Sequence, residues 1–151
     1  MKSVKYLLIM VLSIMGMTSF AQDLEFFNNP VFAKYGNTPE ERKENYLNVQ
    51  YLKYAVNAGD YDSAIDYFDL LVNNCPSATE NIYILGITIY KKKIESATSK
   101  NEKYNYLDSL MHVYDLRLEH FGDHPTHGED YILDRKREEF QYYIGAINNQ
   151  E

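Results

Sequence analysis

The sequence of 151 residues predicts an all-α fold. Apolar residues recur with helical spacing along five stretches, and no stretch alternates apolar and polar residues between hairpin turns. The pattern Ser/Thr-x-x-Glu recurs as "TPEE" (38–41), "SATE" (77–80), "SKNE" (99–102) and "THGE" (126–129). In a capping box, the hydroxyl group accepts a free backbone N–H and the Glu side chain returns to the cap residue. Four such patterns ahead of apolar runs predict helix starts.

The first 21 residues are predicted to be a secretory signal peptide. Lys2 and Lys5 precede the apolar run "YLLIMVLSIMGM". The small residues Ser19 and Ala21 lie just before the expected cut, which follows Ala21. The alternative, a retained membrane anchor, would need about 20 apolar residues, and this run is shorter. No Cys lies near the cut, so a lipid anchor is not expected. Cleavage predicts export to the periplasm, the cell surface or the extracellular space, without membrane insertion afterwards.

Composition limits the classes of partner. The formal net charge is −7, and removal of Lys2 and Lys5 makes it −9. Nucleic acids are therefore excluded as partners, because phosphate binding needs a basic surface. The net charge alone predicts that a partner attracted at long range is basic or neutral. The only cysteine is Cys75, so no internal disulfide can hold the fold.

The elements follow in order from residue 22. Residues 22–37 have no clear period and are expected to form an irregular tether ahead of a helical domain at 38–151. Four apolar side chains of the tether could dock on that domain: Phe26, Phe27, Val31 and Phe32. The predicted helices are 39–57, 60 or 61 to 73, 78–93, 101–120 and 128–147. The stretch "NIYILGITIY" (81–90) is rich in β-formers, but its preceding cap and the lack of a partner strand favour a helix.

The stretch "GDYDSAIDYFDLLVNNCP" (59–76) resembles the second helix of a tetratricopeptide repeat (TPR). Three features match that family's register: the turn at 59–61, the small Ala64 followed four residues later by Phe68, and the terminating Pro76. The stretch from Ile82 to Ile89, with Leu-Gly at 85–86, resembles the first helix of a second repeat. Asn48 and Leu52 depart from the family pattern, since a large aromatic and a small residue are usual there.

The resemblance implies a short right-handed superhelix of antiparallel helix pairs with about two and a half repeats. Repeat one covers about 45–76, repeat two covers about 79–121 with an inter-helix insertion, and an extra helix covers about 128–147. The alternative is a plain helical bundle. About three repeats are usually needed for stability. The chain is thus a small capped solenoid, a shortened relative of longer repeat proteins, or a repeat stack that is completed by another chain.

The resemblance also implies a function. The implied function is an interaction module or scaffold, here an exported one, that binds a peptide or partner subunit on a concave face and needs no cofactor. The first helix of each pair would supply the contacts: Asn48, Tyr51, Ala55, Tyr83, Ile87 and Tyr90. The sequence contains 15 Tyr, a residue type that suits interfaces but also fills gaps between helices. A remnant without a binding role of its own is a further possibility, since fold does not fix function.

Residues that could carry chemistry are few. His120, His124 and His127 could form a metal-binding or enzymatic cluster, which is the alternative function, although Pro125 breaks a helical pairing of the first two. Cys75 is expected to be a buried, inert thiol. The stretch "DRKREEF" (134–140) is interpreted as a solvated helix face. No phosphate-binding loop, nucleophile elbow or HExxH motif is present, so the sequence predicts that the protein is not an enzyme.

Overall fold

The protein is all-α in a computed structural model that describes residues 24–149. After a helical turn at 24–26 and a 3-10 helix at Pro30–Tyr35, the chain forms α1 (Pro39–Ala58), α2 (Tyr61–Asn74), α3 (Asn81–Ser96), α4 (Lys100–Phe121) and α5 (Glu129–Asn148). The predicted signal peptide and its cleavage site lie outside the described residues. Within those residues, no helix combines the length and apolarity needed to cross a bilayer.

Two of the four predicted capping boxes form. Thr38 Oγ1 accepts from the Glu41 N–H at 3.2 Å and Glu41 Oε2 accepts from the Thr38 N–H at 3.3 Å, at the start of α1. Ser99 and Glu102 exchange the same two bonds at the start of α4. Both boxes satisfy N–H groups that the helix itself cannot pair. The predictions at these two helix starts are confirmed.

The other two predicted capping boxes do not form. The helix α3 begins at Asn81, three residues later than predicted, and α5 follows Gly128; neither start has a side-chain cap. The two hydroxyl groups have other partners. Ser77 Oγ lies 3.3 Å from His120 Nδ1, and Thr126 Oγ1 lies 3.1 Å from His127 Nδ1. The predictions for "SATE" and "THGE" are therefore wrong.

The described residues fall into two compact units, 24–47 and 48–149, whose boundary lies within α1. In the first unit, the segment predicted to be an irregular tether is folded. Phe27, Phe32 and Tyr35 are buried, and their rings pack within 5.9 Å of the Tyr46 ring, centre to centre. The Asn45 side chain donates to the Tyr35 carbonyl at 2.7 Å. Of the four side chains expected to dock, Phe26 and Val31 are instead exposed.

In the second unit, successive helices run antiparallel. Lys93 near the end of α3 pairs with Asp62 at the start of α2 (2.6 Å). Arg117 near the end of α4 pairs with Glu80 just before α3 (2.8 Å). Tyr104 at the start of α4 donates to Asn148, the last residue of α5, at 2.6 Å.

The helices α3 and α5 run in the same direction and lie side by side. Lys91 on α3 pairs with Glu139 on α5, and one turn further along Glu95 accepts from the Tyr143 hydroxyl at 3.5 Å. The helices α3 and α5 are thus parallel neighbours. This arrangement, in which each helix pair repeats the direction of the last, is typical of helical repeats.

The core of the second unit contains a close approach of two helices. Ala64 is fully buried, and a Cβ added to Gly86 on α3 would lie 2.5 Å from Phe68 Cε2 on α2. The group that approaches Gly86 is thus the Phe68 side chain. A second cluster joins α3, α4 and α5 through Ile94, Leu107, Leu110, Tyr114, Ile132, Tyr143 and Ile147. Burial of such aliphatic and aromatic side chains supplies the main stabilisation of the unit.

Candidate functional site

Three depressions follow one another along α1, α3 and α5 within the second unit. The first, of about 390 Å³, lies between α1 and α3. The second and third, of about 420 Å³ and 250 Å³, lie along α3 and α5. The first two share Ile84, and the last two share Lys91, Arg135 and Glu139. Because neighbouring depressions share residues, they form one surface, which we call the α1–α3–α5 groove.

The middle of the groove contains aliphatic and aromatic side chains beside its charged ones. Ile84 is 43% exposed and lines both of the larger depressions. Ile87 and the rings of Tyr114 and Tyr131 line the depression beside it. Burial raises the pKa of Tyr114 to about 12, and the nearby Glu139 carboxylate adds to the shift. The phenol therefore remains neutral and adds no charge to the groove.

A buried carboxylate organises one wall of the groove. Glu139 is only 8% exposed, and its Oε1 lies 2.6 Å from Lys91 Nζ and 3.7 Å from an Arg135 Nη atom. The Lys91 and Arg135 side chains are more open to solvent, at 33% and 46%. The interpretation of 134–140 as a solvated face is therefore wrong at Glu139, because α5 turns this residue toward α3. The carboxylate lies beneath two cations and holds them in place.

A buried arginine supports the floor of the groove. Arg117 on α4 is 7% exposed, and its Nε and Nη2 atoms both donate to Glu80 Oε1, at 3.1 and 2.8 Å. Its guanidinium carbon lies 5.7 Å from the centre of the Tyr131 ring. A buried guanidinium must be paired to offset its loss of hydration. The pair with Glu80 does so and, through the ring contact, fixes Tyr131 at the edge of the groove.

The groove differs in charge from the rest of the protein. Its basic residues are Lys53, Lys91, Lys92, Arg117 and Arg135, and its acidic residues are Glu95, Glu138 and Glu139. These lining residues have a formal net charge of +2, whereas that of the whole chain is −7. The groove is thus a locally basic surface on an acidic protein.

Of the six predicted contact residues, only Ile87 lines the groove. Tyr83 has no exposed surface, its hydroxyl donates to the Pro76 carbonyl at 2.9 Å, and burial raises its pKa. Asn48 is 8% exposed. These two residues are corrected from surface contacts to buried residues, because they project from the sides of α1 and α3 that face the interior.

The remaining three predicted residues lie outside the groove lining. The Tyr51 ring is exposed and lies 5.7 Å from the Tyr67 ring on α2, centre to centre. Tyr90 is half-buried against Phe68, at 6.4 Å between ring centres, and Ala55 is half-buried. Tyr51 stays available to a partner, but as part of a different surface.

Apart from Ile87, the residues that line the groove on α3 were missed by sequence reasoning, although helical spacing contains the signal. Buried Ile82, Gly86 and Ile89 mark the inner side of α3. Positions 84, 88, 91 and 95 lie about 100° or more away from that side on a helix with 3.6 residues per turn. They form a single stripe, and it is this stripe that faces α5. The partner residues on α5, Arg135 and Glu139, carry no comparable signal.

The predicted histidine cluster is divided. His120 lies against Ser77 and stacks on the Tyr83 ring, at 6.0 Å between centres. His124 and His127 lie 5.4 Å apart, ring centre to ring centre, and His124 Nδ1 accepts from the His127 N–H at 3.1 Å. In residues 24–149, no group of three or more His, Cys, Asp or Glu side chains is placed to hold a metal ion. The alternative of a metal site built from the three imidazoles is therefore corrected.

Cys75 ends α2 and is 5% exposed. Burial raises the pKa of its thiol to about 11. The nucleophilic form of cysteine is the thiolate, so this thiol is poorly suited to attack a substrate near neutral pH. The prediction that the thiol is buried is confirmed.

Comparisons of the chain with protein-family models, with curated proteins and with solved structures found no match. The functional conclusion therefore depends on the groove and its side chains.

Proposed function

We propose that the protein is an exported interaction module, without enzymatic activity, that binds an extended segment of a partner protein in the α1–α3–α5 groove. The observation that carries this proposal is the continuity of the three depressions across helices from different pairs. An extended peptide needs a long, shallow surface with separate subsites for its side chains, and a succession of depressions provides one. A small-molecule site would instead be a single concave pocket that encloses most of its ligand.

The side chains of the groove support binding because they are held before a partner arrives. Glu139 fixes Lys91 and Arg135, and the Arg117–Glu80 pair fixes Tyr131. Ordering a flexible side chain on binding costs about 0.5–1.5 kcal/mol. Pairs that are already formed reduce this cost. The exposed Ile84 between the two larger depressions then offers apolar surface to an anchoring side chain of the partner.

The resemblance to tetratricopeptide repeats is consistent with the same surface. It implies binding along the first helix of each pair, and these helices correspond to α1, α3 and α5. The signal peptide predicted at residues 1–21 supports the part of the proposal that places the protein in the periplasm, at the cell surface or in the extracellular space. A module of this kind acts as a scaffold for a peptide or partner subunit.

The proposal is tested by capture of partners from the envelope fraction of the native cell with tagged protein and two matched variants. Ile84 and Phe140 are 43% and 42% exposed, but only Ile84 lines the groove. We expect Ile84→Asp to reduce recovery of a specific partner about tenfold or more, because buried charge at an interface centre is costly. Phe140→Asp should leave recovery unchanged, and both variants should keep the helical circular dichroism spectrum.

Equal recovery with both variants would reject the groove as the binding surface. Export is checked on the same material. Mass spectrometry of the protein recovered from the envelope should show Gln22 at the N-terminus, and an intact Met1 would reject processing.

A further inference from the structure

We infer that the α1–α3–α5 groove selects an acidic segment, in which an apolar side chain is flanked by Asp or Glu. This inference rests on the proposed function and adds the chemistry of the occupant. The net charge of the chain alone favours a basic or neutral partner, since the protein as a whole is acidic. The charge of the groove lining favours an acidic segment instead, because a bound segment interacts most strongly with the groups that it contacts.

The cations of the groove are more accessible than its central carboxylate. The side chains of Lys91, Arg135 and Lys92 are 33%, 46% and 48% exposed, against 9% for Glu139. The exposed carboxylates of the groove are Glu95 and Glu138, at 49% and 64%, so an approaching segment meets four accessible cations, Lys53, Lys91, Lys92 and Arg135, and two accessible carboxylates. Glu95 pairs with Lys92 at 2.7 Å and Glu138 pairs with Arg135 at 2.8 Å, but ion pairs between exposed side chains one turn apart are weak and exchange readily with other partners.

The cations lie on both sides of the apolar centre. Lys53 belongs to the depression between α1 and α3, whereas Lys91 and Arg135 belong to the depressions between α3 and α5. Ile84 lines the depressions on either side. A segment laid along the groove would place an apolar residue against Ile84 and Ile87 and acidic residues before and after it. A basic segment would meet these same cations and be repelled by them.

The preference can be measured without knowledge of the natural partner. A library of random peptides displayed on phage is selected on the purified protein and on the Ile84→Asp variant. We expect the pool retained by the protein, but not by the variant, to be enriched in Asp and Glu next to Leu, Ile, Val or Phe. A synthetic peptide from that pool is then titrated by fluorescence anisotropy.

Charge-reversal variants locate the interaction. We expect Lys53→Glu and Lys92→Glu each to raise the Kd of the selected peptide about threefold to tenfold, because each replaces an attraction at contact with a repulsion. Lys100→Glu is the matched control, since Lys100 is exposed, lies at the start of α4 and does not line the groove. It changes the net charge by the same amount and should leave Kd within about twofold. The effect of the groove variants should diminish at high salt.

Three outcomes would overturn the inference or its premise. A selected pool that is rich in Lys and Arg, or without charge preference, rejects the acidic occupant while the proposed function stands. An equal loss of affinity with Lys100→Glu rejects contact with the groove cations and assigns the effect to the net charge. Identical pools from the protein and from Ile84→Asp reject both the inference and the proposed function.

Discussion

The approach of Gly86 to Phe68 is set by the absence of one carbon atom. The Phe68 ring is 3% exposed and lies between the rings of Tyr83 and Tyr90, each at about right angles to it. A Cβ at residue 86 would lie 2.5 to 3.1 Å from three atoms of that ring. A buried ring with aromatic neighbours on two sides has little room to move, so the glycine determines how closely α2 and α3 pack.

This contact predicts opposite effects for two glycine substitutions. Alanine favours a helix over glycine by about 1 kcal/mol, and overpacking a core costs about 1–3 kcal/mol. Gly86→Ala should therefore lower the free energy of unfolding by up to about 2 kcal/mol. Gly145 also lies inside a helix, but a Cβ there meets no atom within 4 Å, so Gly145→Ala should raise it by about 0.5–1 kcal/mol. Urea denaturation measures both, and a stabilised Gly86→Ala would mean that the helices can separate at no cost.

The burial of individual residues was predictable where a helix packs against the next helix along the chain. Ala64, Gly86 and the buried Cys75 follow from local spacing, small size and the neighbouring Pro76. Tyr83 was not predictable in the same way. Its hydroxyl group suggests a surface position, but the carbonyl of Pro76 satisfies that group inside the protein. The spacing of residues in the sequence does not reveal which tyrosine hydroxyl groups have a hydrogen-bond partner inside the protein.

At the scale of elements, ion pairs join residues within and between helices, and their burial determines how much each contributes to the free energy of unfolding. The Glu80–Arg117 pair joins the start of α3 to the end of α4, with side-chain exposures of 22% and 8%. The Asp134–Arg137 pair lies within α5, with exposures of 65% and 66%. Exposed pairs contribute about 0–1 kcal/mol, whereas removal of one partner from a buried pair costs about 3–5 kcal/mol.

We therefore expect Glu80→Ala to lower the free energy of unfolding by about 2–4 kcal/mol, because Arg117 would remain buried without its carboxylate. Asp134→Ala removes one carboxylate as well and should change the stability by less than about 0.5 kcal/mol. Thermal denaturation of the two variants at equal concentration provides the comparison. Similar melting temperatures would mean that water replaces Glu80 at the guanidinium group.

Helices were predictable to within three residues at each end, but their caps were predictable only in part. The boxes at Thr38 and Ser99 form within the helix starts themselves. Ser77 and Thr126 contact histidines instead, and in the first case the histidine comes from residue 120, far along the chain. The same motif therefore has two outcomes, and tertiary contacts determine which one occurs.

At the scale of the whole second unit, the all-α architecture follows from helical periodicity, and the groove does not. The pair Lys91–Glu139 joins residues that are 48 positions apart, and no local pattern indicates that α5 lies beside α3 in parallel. The stripe on α3 could have been identified from its buried side. Its counterpart on α5 could not, because a charged stretch has the same appearance whether one of its carboxylates faces water or a neighbouring helix.

The stacking of each helix on its neighbours also has a consequence for the order in which the unit opens. Among residues 48–149, α3 packs against α2 and α4, α4 packs against α3 and α5, and α5 packs mainly against α4. Amide hydrogens in α3 and α4 should exchange with deuterium only through opening of the whole unit, and those of α5 through a smaller opening. Hydrogen-exchange mass spectrometry tests this ranking, and faster exchange in α3 than in α5 would contradict it. A segment bound along the groove would bridge α3 and α5, so its clearest signature would be slower exchange in the last helix.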